Sequence, residues 1–368
     1  MPRGYHILVI NPGSTSTKLA LFRNGKELRK HTARHDARRL AAYRTVMEQE
    51  QMRLAEVRGF LAACAQAAGG PQAAGAPLRL DAVAARGGLL HPVEGGVYRV
   101  NRAMQRDLRS GRYGEHASNL GAVLGAKVGE EHGCPVFIAD PVVVDELEPA
   151  ARLSGLPQIP RKSIFHALNQ KAAAREAAAR MRREYERCNL IVAHLGGGIS
   201  VGAHRRGRVV DVNNALDGEG PFSPERSGGL PAGQLARLCF SGEYTEPQVL
   251  SLITGRGGVV AYCGTNSMEE LEERAGRGDR AARLCMQAMC RQVAQEICRH
   301  GATLRGEVDC IVLTGGMTRS RVLVGTIRGM VRHLAPVKVI AGEREMQALA
   351  GSVYQVLRGA WKAKRYAS

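Results

Sequence analysis

Lysine and aromatic side chains are scarce in this 368-residue chain, and it has no long apolar run. Of its 52 cationic side chains nine are lysine and 43 arginine, against 34 acids, so the formal net charge is +18. Such a charge is one signature of a nucleic-acid binder. Proteins that bind single strands interleave cations with aromatic platforms, and here six Phe, nine Tyr and one Trp accompany arginines scattered along the chain. The basic balance therefore reads as a surface preference for Arg over Lys, and no nucleic-acid partner is expected. No stretch approaches the ~20 apolar residues of a membrane helix. The opening run turns polar at Asn11, too early for the apolar region of a secretion signal. The expectation is a cytoplasmic protein with no membrane partner. The nine cysteines are an odd number with no CxxC and no regular spacing. That argues against a disulfide framework and a zinc ribbon, and for reduced thiols.

Apolar residues make up 44% and charged residues 23%. That is an ordinary globular composition, and the length bounds the chain at two domains or a little more. Hydrophobic pattern and turn residues predict strands over His6–Ile10, Thr17–Phe22 and Lys26–His31. Asn24-Gly25 marks the hairpin turn between the last two. A helix is expected over 36–68 and a loop over 69–77. The pattern returns in the second half of the chain: strands Asn189–His194, Ile199–His204 and Arg208–Val212, with a glycine loop at Leu195–Gly198 and a turn at Arg206-Gly207. Asn11 then falls opposite His194 and Gly13 opposite Gly196, with the two hairpin turns one residue out of step. A strand is expected at Pro135–Ala139 and a long helix near Ser163–Arg187. Helices follow at Pro231–Ser241, Glu246–Leu252, Met268–Ala275 and Asp279–Leu304. Strands at Asp309–Leu313 and Val337–Ala341 and a terminal helix Met346–Trp361 close the series. Strands alternating with helices predict an α/β fold, and the internal repeat predicts two related domains.

Three glycine loops each follow a buried-type strand: NPGSTSTK at 11–18, HLGGGIS at 194–200 and LTGGMTRS at 313–320. Successive backbone N–H groups in such turns form anion nests, and Ser and Thr hydroxyls add donors. None is a Walker A loop or a G-x-G-x-x-G fingerprint. Two phosphate loops and a third glycine loop point to a bound nucleotide.

The chain resembles the acetate kinase–butyrate kinase family (the acetokinase family), within the sugar kinase, Hsp70 and actin superfamily. The resemblance runs over about residues 6–360 and is carried by INPGSTSTK, ARGGLLHPVEGG, GEHASNLGA, FIADPVVVDE, RKSIFHALNQKAA, HLGGGISVGAH, VNNALDGEGPFSPERSG, LTGG and GEREMQALA. DPVVVDE and NNALDGEGPFSPERSG are similar to the butyrate kinase branch. The resemblance implies two ribonuclease H-like domains flanking a nucleotide cleft, the actin-like ATPase or acetate kinase fold. The first would comprise 1–145 plus 346–368 and the second 146–345. It implies a homodimer or larger homo-oligomer that moves the ATP γ-phosphoryl to a short-chain carboxylate, butanoate above acetate, propionate or branched acids. A carboxylate is already a nucleophile, so the equipment needed is charge and positioning, not a general base.

By the same resemblance, Arg86 would meet the substrate carboxylate and Arg226 the transferring phosphoryl, both suited to planar bidentate contact. Asp140 would orient Mg²⁺ or substrate, with Asp145 and Glu146 nearby as alternatives. His116, His166 and His194 would stabilise the phosphoryl in flight. Asn11, Ser14, Ser16 and Lys18 would meet phosphate or Mg²⁺-bound water. Gly196, Gly197 and Gly198 would cradle the β- and γ-phosphates of ATP or ADP, and Gly315 and Gly316 would face adenosine and the α-phosphate. Glu345, with Glu343 as the alternative, would associate with Mg²⁺. The chain departs from the family at Ser267 and Glu269, where an acidic and often a basic residue are usual, and at Thr318-Arg319. An actin- or Hsp70-like ATPase switch is the competing class; it would need neither Arg86 nor Arg226.

Overall fold

The computed structural model describes residues 4–69 and 78–367. Two compact units divide the chain, Met1–Val144 with Arg344–Ser368, and Asp145–Glu343. The strands in chain order are β1 (His6–Pro12), β2 (Ser16–Arg23), β3 (Lys26–Arg34), β4 (Ala82–Ala85), β5 (Val97–Arg99), β6 (Val136–Ala139), β7 (Asn189–Leu195), β8 (Ile199–Arg205), β9 (Arg208–Val212), β10 (Cys310–Gly315), β11 (Val337–Ala341) and β12 (Lys364–Arg365).

In the first unit the sheet order is β12-β5-β6-β4-β1-β2-β3, and in the second β11-β10-β7-β8-β9. Each holds an antiparallel three-strand meander whose first strand carries parallel neighbours on its other side: β4 and then β6 beside β1, β10 and then β11 beside β7. This is the same ribonuclease H-like plan twice. The registers locate the one-residue slip between the repeats. Four residues, 13–16, separate the paired Pro12 and Thr17, and three, 196–198, separate Leu195 and Ile199. The strands themselves stay in step. Even the bulge recurs, Leu28 being skipped opposite β2 and Val210 opposite β8. Both hairpins turn through two residues of positive φ, Asn24 and Gly25 at 50° and 80°, Arg206 and Gly207 at 48° and 86°. That is the turn whose twist suits flanking strands.

Alternation along the strands divides the side chains between two faces. In the first unit Leu8, Ile10, Leu19, Leu21 and Val83 pack with Leu54, Val57 and Leu61 of the helix Glu50–Gly69 and with Leu120, Leu124 and Val128 of the helix Asn119–Glu131. Helix Glu345–Leu357 packs on β1, β4 and β6. In the second unit Ile191, Ala193, Val201, Ile311 and Leu313 meet Met289, Val293 and Ile297 of the helix Arg280–Thr303. The opposite face sets Leu190, Val192 and Val312 on the alanines of the helix Ala167–Arg180.

Three expected helices differ. The 36–68 segment is a short helix Ala37–Ala41 capped by Asp36, then a 3-10 turn Val46–Gln49 that feeds Glu50–Gly69. The long helix near Ser163–Arg187 is helical over Ala167–Arg180, with His166 at its N-cap and a separate 3-10 turn at Tyr185–Arg187. The terminal helix ends at Leu357. The expected loop 69–77 lies, except for Gly69, outside the described residues. Among the described residues no helix is long and apolar enough to cross a membrane.

Candidate active site

In the first unit the functional candidates gather at the carboxyl ends of parallel strands, the usual ligand edge of an α/β sheet. Asn11 is the penultimate residue of β1, Arg86 follows β4 and Asp140 follows β6. Glu345 opens the helix Glu345–Leu357. Asn11 donates through Nδ2 to Glu345 Oε2 at 2.8 Å. Arg86 Nη1 donates to the same carboxylate oxygen at 2.9 Å and to Asn11 Oδ1 at 3.3 Å. Three expected residues thus form one cluster. Lys18 pairs opposite Asn11 across the β1–β2 ladder, which puts their side chains on one face. Glu343, the alternative to Glu345, is exposed.

Glycines set the position of Arg86. A Cβ at Gly121 would lie 2.3 Å from the Arg86 carbonyl, one at Gly88 2.4 Å from the Asn119 side chain, and one at Gly87 2.7 Å from Pro141. ARGG and SNLGA are therefore two backbones in close approach, tied further by Asn119 Oδ1 accepting from Leu89 N at 2.8 Å. Asp140 is 2% exposed and sits at φ +38°. That conformation is costly for a residue other than glycine. Its carboxylate accepts from Gly96 N at 2.7 Å while its own N–H donates to Gly96 O at 2.9 Å. Asp145 and Glu146 belong to the second unit and are ion-paired, with Arg152 at 2.5 Å and Lys171 at 2.9 Å. His116 is exposed and its Nδ1 accepts from the Ser118 backbone N–H and faces the Ser118 hydroxyl at 2.8 Å. Ser14 is exposed and Ser16 half-buried, on a loop whose carbonyls turn inward to Arg53.

In the second unit His194 is the penultimate residue of β7, Gly196–Gly198 link β7 to β8, Gly315 ends β10 and Gly316 follows it. His166 and His194 stack with ring centroids 3.9 Å apart. His194 Nδ1 meets Asn169 Oδ1 at 3.0 Å, and Thr314 Oγ1 donates to the same oxygen at 3.1 Å. Arg226 lies on the glycine loop: a Cβ at Gly198 would fall 2.1 Å from its Nη1. Its Nη1 donates to Ala215 O, and its Nε is buried without a partner among the described residues. Burial pulls its pKa below the ordinary arginine value, with Glu225 acting against that. Ser223 locks the arrangement, its hydroxyl donating to Gly197 O at 2.6 Å and accepting from Arg226 N at 3.2 Å. Gly315 has φ +97°, and a Cβ there would lie 2.3 Å from Leu195 O; nothing stands within 4 Å of a Cβ at Gly316.

A buried polar chain stands behind His166. Gln170 Nε2 donates to Ser200 O at 3.0 Å, which fixes its amide orientation, and to Ser200 Oγ at 2.7 Å. Its Oε1 then accepts from His204 Nε2 at 2.9 Å, and His204 Nδ1 accepts from Tyr185 OH at 2.8 Å. Burial holds the His204 pKa well below its ordinary value, so the ring is neutral. The Ser200 hydroxyl, which accepts from Gln170, also bonds His166 Nδ1 at 2.9 Å.

Sequence reasoning missed Asn169, Gln170, Ser200, His204 and Arg53. The signal for two of them stood in HALNQ, where Asn169 and Gln170 fall three and four residues after His166 and so share its helix face. The departures from the family pattern are also explained locally. Ser267 caps the helix Met268–Gly276 through Glu270 N at 3.2 Å, and Glu269 is exposed. An acidic residue would fill the same capping role. Thr318 ties Gly315 O at 2.6 Å.

The acetokinase family profile matches residues 158–341. Butyrate kinase 2 of Clostridium acetobutylicum is 50% identical over 362 residues, covering 98% of this chain and 99% of that one. A probable butyrate kinase of Listeria innocua is 48% identical over 362 residues, again 98% and 99% of the two chains. Among solved structures, Porphyromonas gingivalis acetate kinase superposes with a TM-score of 0.75 at 17% identity, over 96% of this chain and 100% of that one. A Francisella tularensis propionate kinase gives 0.69 at 19% identity, over 95% and 98%. At those identities the superpositions define the fold, two ribonuclease H-like domains of the acetate kinase type. The chain belongs to the acetokinase family. It is an ATP-dependent carboxylate kinase.

Proposed function

We propose that this kinase moves the ATP γ-phosphoryl reversibly to butanoate, giving ADP and butanoyl phosphate. The observation that carries the acyl preference is the 50% identity with a butyrate kinase along nearly all of both chains. Arg86 holds the acceptor carboxylate: its Nη1, with Asn11 Nδ2, already holds one carboxylate oxygen, that of Glu345. Arg226, lying on Gly196–Gly198 with an unused buried Nε, stabilises the equatorial oxygens of the transferring phosphoryl. His166 adds a ring N–H donor. His194 and His116 line the phosphoryl path, Asp140 orients the acceptor end, and Ser14, Ser16 and Lys18 donate to phosphate. Gly315 lets the backbone pass close to Leu195, and Gly316 leaves room for the nucleotide.

Mg²⁺ fits this donor set. Among the described residues no cluster of three His, Cys, Asp or Glu could hold a metal alone. Mg²⁺ ordinarily takes one or two carboxylates and completes its shell with phosphate oxygens and water. Glu345 and Asn11 would supply the protein's share, and the bound ion would neutralise phosphate charge. The chain is further proposed to be cytoplasmic, to bind no nucleic acid and to assemble as a homo-oligomer.

Hydroxamate trapping of acyl phosphate from ATP, Mg²⁺ and C2–C5 acids tests the reading. The expected result is a kcat/KM maximum at butanoate. A buried methylene is worth about 0.8 kcal/mol, so neighbouring chain lengths should differ only several-fold. A maximum at acetate overturns the butanoate assignment. ADP release at one rate with and without acid overturns acyl transfer and favours an ATPase switch.

A further inference from the structure

We propose that Arg53 is a positioning residue for the phosphoryl group, a buried cation beneath the first glycine loop whose counter-ion is the anion that loop holds. The inference rests on the kinase reading above.

Arg53 lies in the first turn of the helix Glu50–Gly69 and is 0% exposed. Its Nη1 donates at 3.0 Å to each of Gly13 O, Ser16 O and Thr17 Oγ1. Its Nη2 donates to Ser14 O at 3.3 Å and to Gln49 Oε1 at 2.8 Å, and its Nε to Gln49 Oε1 at 3.0 Å. All these acceptors are neutral. The neighbouring acid, Glu50, is bound by Arg109 and Lys127, each at 2.7 Å. No carboxylate among the described residues forms an ion pair with Arg53. A buried charge without an opposite partner is strongly unfavourable, and proteins ordinarily pair it. Capping carbonyls alone would not require a charge.

The loop shows what the charge faces. Carbonyls of 13, 14 and 16 point to Arg53, and that of Thr15 accepts from His35 N at 2.9 Å. In a planar trans peptide C=O and N–H point in opposite directions. The amides of Ser14 and Thr15, which follow the carbonyls of 13 and 14, therefore face away from Arg53. Successive amides of this kind make an anion nest, and the guanidinium behind them adds charge of the same sign. Three carbonyls held by Arg53 and one held by His35 N also fix the loop before any ligand arrives, so the nest is preorganised.

Gln49 permits a test that leaves this scaffold in place. Gln49→Glu is isosteric and puts a carboxylate on the oxygen that already accepts two Arg53 N–H groups. It neutralises Arg53 without touching the loop bonds. Unliganded Gln49→Glu should unfold in urea at a midpoint no lower than the parent. Calorimetric ATP affinity should fall about tenfold, and the rise in melting temperature on adding ATP should shrink accordingly. Arg53→Lys keeps the charge but not the planar fork, and its affinity should lie between the two. Folded Gln49→Glu that binds ATP within twofold of the parent overturns the proposal. Failure of the parent to form any acyl phosphate would instead overturn the kinase reading, because the ATP-binding comparison does not depend on turnover.

Discussion

The two sheets place different chemistry at the same positions. Extending the registers, Asn11 and Arg86 in the first unit correspond to His194 and Thr314 in the second, and Gly87-Gly88 to Gly315-Gly316. Arg86 bonds Asn11 and a carboxylate; His194 and Thr314 share a neutral amide oxygen. The first glycine loop rests on a buried guanidinium, and the second carries a guanidinium on its surface. The strand ends and glycines are common property of the scaffold. On the reading proposed above, the arginines beside them divide the labour, Arg86 taking the acceptor carboxylate and Arg226 the moving phosphoryl.

The sharpest way to break this division is to exchange its arginines conservatively. Arg226→Lys should cut kcat by about 10²–10³ with the butanoate KM nearly unchanged, since a preorganised transition-state donor is lost. Arg86→Lys should act chiefly on the acid, raising its KM. Steady-state kinetics that showed both variants failing in the same parameter would erase the distinction. Next in size is Gly315→Ala. Its positive φ and the 2.3 Å approach to Leu195 O leave no room for a methyl. A loss of about 2–4 kcal/mol is therefore expected from urea unfolding.

Gln170→Leu should be milder in stability than in rate. Without the amide that fixes Ser200, the hydroxyl that bonds His166 is no longer held in place. kcat should drop about tenfold in steady-state kinetics. Acidification should separate the units. Burial drops the His300 pKa to about 4 and depresses that of His204. The unfolded chain takes up protons near the ordinary histidine value of 6.5 that these folded rings refuse, so stability is lost as pH falls from 6.5 toward about 4. Both rings belong to the second unit, so hydrogen exchange should rise there first. The smallest contrast lies in the matched hairpin turns. Gly25→Ala meets no atom within 4 Å, while Gly207→Ala meets Glu186 at 3.2 Å. Both should cost about 1 kcal/mol for the positive φ, Gly207→Ala slightly more.

The sequence showed the meanders clearly, because β-rich runs of five or more residues alternate with turn residues. It hid β4, whose Ala82–Ala85 carries no β-branched residue beyond Val83 and pairs on both sides, and the three-residue β5. The helix Asn119–Glu131 was hidden by three glycines that serve close packing against Arg86 and Val136. Residues 36–68 read as one helix because composition does not reveal the break that lets Gln49 and Arg53 turn beneath the loop. For the site, motif resemblance singled out Asn11, Arg86 and Glu345, and the fold gathers them. Arg53 had no such flag. Only the burial of that one arginine among 43 distinguishes it.

Glu345 reaches Asn11 across 334 positions of chain. On a ribosome adding about 5–20 residues per second, roughly 15–70 s separate the synthesis of the two. Throughout that interval the first glycine loop and Arg86 exist without the carboxylate that joins them, while the whole second unit is being made. The enzyme is thus timed by translation. A nascent chain cannot assemble the Asn11–Arg86–Glu345 cluster until the segment that carries Glu345 emerges, and a message cut short before Glu345 yields a protein with both glycine hairpins and no such cluster.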